Sequence, residues 1–202
     1  MRALVIVATL VVVVTLSMPA AAAEKGQAEL ALGGGLGLPL GTFGDFADSG
    51  FLMGGRIGFY TNPQSVIGFE FAYNKFGLSS DIQSATSSFL GSLLGSSVDV
   101  DADWAIVQAV AYAKYLFSDQ PTTGYFKSAF GYYGLKLSLS ALGASASETD
   151  GNIGFGGGFG VQIMGEGAVG GFAEAMGHGV LTEGDPIWFL GFGAGISILL
   201  GG

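Results

Sequence analysis

The sequence predicts an all-β protein: an eight-stranded antiparallel up-and-down transmembrane β-barrel, preceded by a cleavable signal peptide. Three observations predict it. The stretch 51–76 alternates apolar with small or polar residues in two arms around Asn62-Pro63, as an antiparallel hairpin does. The chain is 50% hydrophobic and only 11% charged, with 37 glycines. Beyond its opening segment, however, it has no apolar run long enough to cross a bilayer as a helix. Finally, eight segments of about 9–11 residues or a little more, the length a tilted membrane strand needs, are joined by connections that alternate long and short.

In the hairpin, Phe51, Met53, Ile57 and Phe59 share one face with Ile67, Phe69, Phe71 and Tyr73. The other face is narrow and carries Arg56 and Glu70, nearly opposite each other across the turn. A soluble sheet could also alternate, with its apolar face on a core. Two features argue for a membrane wall: the apolar face is aromatic along both arms, and the opposite charges face each other, which is favourable across strands.

The elements follow in order. Met1-Arg2, an apolar run over 3–16, Ser17-Met18-Pro19 and alanines at 20–23 read as a secretory signal, with cleavage expected after Ala23. The barrel domain is then 24–202. The first strand is 28–39, with Leu30, Leu32, Leu36 and Leu38 on one side and mainly glycines on the other. A turn-rich loop fills 41–50, and the hairpin follows. The longest break, 77–103, is rich in serine and closes on Asp99, Asp101 and Asp103. Strand four is 104–117, with Gln108 and Lys114 of one parity placed inside. A Pro-containing turn at 118–123 leads to strand five at 124–138. A Ser/Ala-rich loop at 139–151 precedes strand six at 152–164, where Phe155, Phe159 and Val161 face one way and glycines the other. A short turn at 165–167, strand seven at 168–180, a loop at 181–186 and strand eight at 187–200 complete the series. With an even strand count both termini fall on the periplasmic side. The loops at 40–50, 77–103, 139–151 and 181–186 then all fall outside.

Charge excludes some partners. Seven Lys+Arg against 16 Asp+Glu give a net charge of −9, so the basic footprint that nucleic acid needs is missing. There is no cysteine, hence no disulfide framework and no thiolate metal site.

The run PLGTFGDFADSGFLMGGRIGFYTNPQSVIGFEFAYNKFG resembles the small eight-stranded outer-membrane barrel families related to OmpA, OmpX and OmpW. YFKSAFGYYG, GFGGGFGVQI, FAEA and FGAGISI look like their later strands. The resemblance implies a monomer in a bacterial outer membrane, in contact with outer-membrane lipid and lipopolysaccharide and inserted by the barrel-assembly machinery. Such barrels usually close on an aromatic residue, whereas this chain reads Leu199-Leu200-Gly201-Gly202.

Five charges, Arg56, Glu70, Lys114, Lys127 and Glu174, project into the lumen. Eight strands leave an interior barely wide enough for side chains, and buried opposite charges must pair. They form either a structural plug or, in the other reading, salt bridges that switch partners in a narrow passive channel for small or hydrophobic solutes. Trp104 and Trp188 are expected at the outer rim; Tyr60, Tyr115, Phe117 and Tyr125, beside the short turns, are expected to form an inner aromatic girdle.

The remaining motifs carry less. Eight-stranded lipid A deacylases use a His and Ser pair, but His178 lies in Met-Gly-His-Gly-Val without a nearby serine, so no catalysis is expected. Gly165-Glu166-Gly167-Ala168-Val169-Gly170 matches GxGxxG, but a strand-like series follows it and not the helix a dinucleotide needs. Asp99, Asp101 and Asp103 begin like a calcium loop, but Trp104 stands where that loop requires glycine. A solvated acidic rim is expected, with divalent ions on Asp45, Asp48, Asp99 and Asp101 bridging to lipopolysaccharide phosphate as the alternative. Phe89, Leu90, Leu93 and Leu94 recur at helical spacing, as in a short helix over the barrel mouth or an apolar funnel. No cofactor or metal is expected.

Overall fold

The computed structural model describes residues 25–94, 100–141, 144–165 and 168–201; the expected signal segment and its cleavage point lie outside them. Eight antiparallel strands close into a barrel in sequence order. Strand β1 is Ala28–Leu40, followed by the short helix α1 (Thr42–Phe46) and by β2 (Ala47–Asn62). Strand β3 (Ser65–Leu78) leads into helix α2 (Ser80–Leu94), then β4 (Val100–Leu116) and β5 (Thr122–Ala141). Strands β6 (Ala144–Met164), β7 (Val169–Leu181) and β8 (Ile187–Leu200) complete the wall, β8 pairing with β1.

Register fixes the shape. From Glu29 the ladder runs through Gly58, Gly68, Tyr112, Ala129, Gly156, His178 and Phe189, and returns to β1 at Pro39. That stagger of ten residues over eight strands corresponds to a strand tilt of ~40°. Alternation then sends each strand's two residue sets to opposite sides. Phe69, Phe71 and Phe159 are 60%, 64% and 63% exposed, so the aromatic set clothes the outside.

The inside is narrow, which explains many of the glycines. A Cβ at Gly58 would fall 2.2 Å from the Tyr112 hydroxyl, and one at Gly160 2.3 Å from the Tyr125 ring. Large side chains cross the bore only because the strand they meet has none.

Three boundaries differ from the sequence reading. The stretch 41–50 is not all loop: α1 occupies its middle and β2 begins at Ala47. Strand β4 starts at Val100, inside the expected break. The expected loop at 139–151 is largely ladder, with Gly134 opposite Gly151 and Ser140 opposite Ser145. Hydrophobic alternation marks a strand only where one face meets lipid. A hairpin tip with water on both sides pairs its backbone equally well with Ser, Thr and Ala.

Candidate functional site

The bore is closed near its short-turn end by charge. Glu29 is the second residue of β1, and with Arg56 (β2), Glu70 (β3), Lys114 (β4), Lys127 (β5) and Glu174 (β7) it makes three cations against three carboxylates. Lys127 Nζ donates to Glu70 Oε2 at 2.8 Å and to Glu174 Oε1 at 2.7 Å. Arg56 Nη1 donates to Glu174 Oε2 at 2.7 Å, while Glu70 Oε2 lies 3.9 Å away. Lys114 Nζ donates to Glu29 Oε2 and, at 2.8 Å, to Gln162 Oε1.

Neutral groups take some of the remaining valences, while Arg56 Nε faces Glu29 Oε1 at 3.6 Å and Arg56 Nη2 is buried without a hydrogen-bond partner. The Tyr125 hydroxyl donates to Glu174 Oε2 at 2.7 Å, and the Tyr60 hydroxyl to Glu29 Oε2 at 3.2 Å. Gln162 Nε2 donates in turn to the Tyr60 oxygen at 3.2 Å. The Arg56 guanidinium lies 4.1 Å from the Phe172 ring centre, a cation–π contact in a desolvated place. Burying charge is costly unless it is paired and hydrogen-bonded. Here every carboxylate touches a cation, and side chains from seven of the eight strands are tied together.

The structure thus places all five expected lumen charges in one cluster, with Arg56 opposite Glu70 in register. Its shortest contact, however, is with Glu174 across the bore. Sequence reasoning omitted Glu29, although its parity with Ala31 and Gly33 already put it inside.

The aromatic set divides. Tyr115, Phe117 and Trp188 are exposed on the outer wall, with Tyr115 and Phe117 rings 6.5 Å apart and Trp188 edge-on to Phe155. Tyr60 and Tyr125 are buried in the bore instead, and half-buried Trp104 packs on Phe43 within the mouth. Parity is the reason. Tyr60 shares the phase of Arg56, Tyr125 that of Lys127, and Trp104 that of Lys114; nearness to a turn does not move a side chain across the wall.

On the loop side of Arg56 lies a void of about 50 Å³, bordered by Leu52, Gly54, Glu70, Glu174 and Gly193. At about 30 Å³ per water molecule it has room for one or two. Above it, His178 is bonded to the Tyr133 hydroxyl at 3.1 Å and stacked on Phe189 at 4.6 Å. It is buried in the bore, away from the wall a lipid substrate would touch. A shallow groove of about 550 Å³ on the outside, between Phe69, Ala111 and Phe130, contains none of the cluster's charges.

Other expected features lie partly outside the described residues. Glu166, Gly167 and Asp99 do, as do the side chains of Asp101, Phe89, Leu90, Leu93 and Leu94, although the last four fall on the backbone of α2. Asp45 and Asp48 are exposed, and among the described residues no group of three His, Cys, Asp or Glu is placed to hold a metal.

Comparison with known proteins places this bore in a family. The model of the outer membrane protein beta-barrel domain matches residues 8–171. The chain belongs to that family. Membership puts the barrel in the bacterial outer membrane, with outer-membrane lipid against its wall. Among solved structures it is similar to Ail, the attachment invasion locus protein of Yersinia pestis, at 14% identity and TM-score 0.55, over 86% of this chain and 99% of that one. It is similar to Neisserial surface protein A, NspA, at 16% identity and TM-score 0.57, over 86% of this chain and 97% of that one. Ail in complex with the heparin analogue sucrose octasulfate matches at 14% identity and TM-score 0.52, over 86% and 99%. At such identities the likeness is one of fold. No curated protein matches the sequence. Among the described residues no helix is long and apolar enough to cross a membrane, and the family crosses with strands.

Proposed function

We propose that this outer-membrane barrel is a non-conducting, non-catalytic surface protein, monomeric, whose bore is a structural plug and whose loops carry its interactions. The observation that supports it is the filling of the lumen at Arg56. Three cations and three carboxylates lie within 4 Å of partners there, and the Glu29, Lys114 and Lys127 side chains have no accessible surface. The loops are taken to face outward, with the short turns in the periplasm.

The loop end is acidic. Asp45, Asp48, Glu148, Asp150, Glu183 and Asp185 are all exposed, and Lys75 is paired with Asp103 at 2.9 Å. This charge disfavours a polyanion such as the sulfated sugar bound by Ail. It suits a cationic partner, or lipopolysaccharide approached through divalent ions. Assembly by the barrel-assembly machinery and removal of residues 1–23 belong to the same reading.

One observation favours the channel as a second reading. Arg56 and Lys127 share Glu70 and Glu174, so the pairs can exchange partners with little movement. Planar-bilayer recording of the refolded protein separates the two. The plug predicts no steady conductance; a steady conductance that changes with Arg56→Ala or Glu70→Ala would overturn it in favour of the channel.

A further inference from the structure

The bore contains a second set of contacts that the ionic cluster does not share. At the loop end, Phe76 of β3 and Phe189 of β8 meet edge-to-face with ring centres 5.6 Å apart, and neither has accessible surface. Phe189 stacks on His178 of β7, which Tyr133 of β5 holds by hydrogen bond. The Phe76 ring reaches across to β1, where a Cβ at Gly37 would lie 2.7 Å from its edge. Above them sits Phe43, 5.3 Å and 78° from Phe76 and 6.0 Å and 87° from Trp104. Phe43 is only 5% exposed although it comes from α1, outside the sheet.

We infer that the lumen is closed twice, by the ionic cluster and by this aromatic stopper, and that Phe43 is the part of the stopper built to withdraw. The inference rests on the plugged-bore reading and adds a movable outer closure to it.

Three observations support it. The two closures share no residue, and the void bordered by Leu52 and Gly193 lies between them. Phe76, Phe189 and Tyr133 are strand residues held in ladders on both sides, so they cannot leave without breaking the wall. Phe43 has no such tie. Its helix is five residues long, and Gly44 N–H donates to the Gly41 carbonyl at 2.9 Å. Gly41 itself has φ of +56°, a left-handed conformation that glycine adopts without strain. Turning α1 about Gly41 and Ala47 carries the ring out of the mouth at the cost of the 3.0 Å bond from Ser79 N–H to the Phe46 carbonyl, while β1 and β2 stay paired over 28–37 and 50–59. With Phe43 gone, the stopper loses its outer layer and small solutes reach the void, though the ionic cluster still blocks passage.

The test uses accessibility, because an outer opening alone gives no current. The chain has no cysteine, so Gly193→Cys supplies a single thiol in the void. A Cβ there meets only Leu52 at 3.7 Å and Glu174 and Gly34 at 3.9 Å, ordinary contacts. The protein is refolded into lipid nanodiscs and treated with a small, charged methanethiosulfonate. Gly193 is only partly exposed, so Gly193→Cys alone should label more slowly than a fully exposed thiol, and Phe43→Ala/Phe76→Ala in that background should raise the rate about tenfold, with Phe43→Ala between the two. A folded double variant, judged by heat-modifiable mobility, that labels no faster than Gly193→Cys alone overturns the stopper and leaves the plug standing. If the double variant does not fold, Phe43→Val, too short to reach Phe76, is read in its place, and an unchanged rate has the same meaning. If Gly193→Cys alone labels as fast as an exposed thiol at Glu183→Cys, the mouth is open at rest and the stopper falls, while the ionic plug beyond the void falls only if the refolded protein also conducts.

Discussion

Lys114 on β4 donates to Glu29 on β1 across the full width of the bore, and neither side chain has accessible surface. β1 and β4 are not neighbours in the wall, so this ion pair is a strut and not a rung of any ladder. Removing Glu29 leaves Lys114 buried without a carboxylate, and removing Lys114 leaves Glu29 with only the Arg56 Nε at 3.6 Å. Glu29→Gln and Lys114→Met should each destabilise the barrel by about 3–5 kcal/mol, whereas Glu29→Leu/Lys114→Met together should cost much less than the sum. Urea unfolding of the refolded protein in lipid vesicles, followed by tryptophan fluorescence, measures all three.

The tyrosines that face inward act through their hydroxyls. Tyr60→Phe and Tyr125→Phe keep the ring but withdraw a hydrogen bond from Glu29 and Glu174 respectively. Hydrogen bonds to charged groups contribute ~1.5–3 kcal/mol, so each should lower stability by about that amount. Tyr115→Phe, on the outer wall, should change it far less. The same unfolding experiment gives all three values.

The two tryptophans should report different surroundings. In a Trp104→Phe variant the remaining Trp188 faces the bilayer, and lipids brominated along their acyl chains should quench it strongly. In a Trp188→Phe variant the remaining Trp104 packs on Phe43 inside the mouth and should be quenched weakly. Equal quenching would place both on the wall, as proximity to the rim alone suggests.

Glycines on the two faces should respond oppositely to an added methyl. Gly58→Ala puts a Cβ 2.2 Å from the Tyr112 hydroxyl and 2.6 Å from Val66, and should cost about 1–3 kcal/mol by overpacking. Gly157→Ala meets nothing closer than 3.9 Å and relieves a strand of a flexible residue, so it should be neutral or stabilising by up to ~1 kcal/mol. Thermal unfolding of the two variants side by side decides it.

The wall was legible in the sequence because one physical rule governs it: a strand in lipid must be oily on alternate residues. That rule located all eight strands and oriented Phe69, Phe71 and Phe159. It could not see the tip of the β5–β6 hairpin, where no lipid enforces the pattern. The bore was half legible. Parity identifies which residues point inward, Glu29 and Tyr60 included, but not which partner each chooses. Arg56 faces Glu70 in register yet lies closest to Glu174, five strands further on. Such pairing depends on the stagger of the closed cylinder, which no single hairpin contains. Phe43 was hidden for another reason: in a turn-rich segment, one aromatic ring reads as a loop residue until the mouth it fills is visible.

The even count of positive and negative groups at the Arg56 level has an electrical consequence. An unbalanced charge moved across a membrane potential gains or loses about 2.3 kcal/mol per 100 mV. A cluster of three cations and three carboxylates has no net charge, so a voltage does almost no work on it as a body. Depolarising or polarising the bilayer therefore leaves this barrel's inner closure where it is.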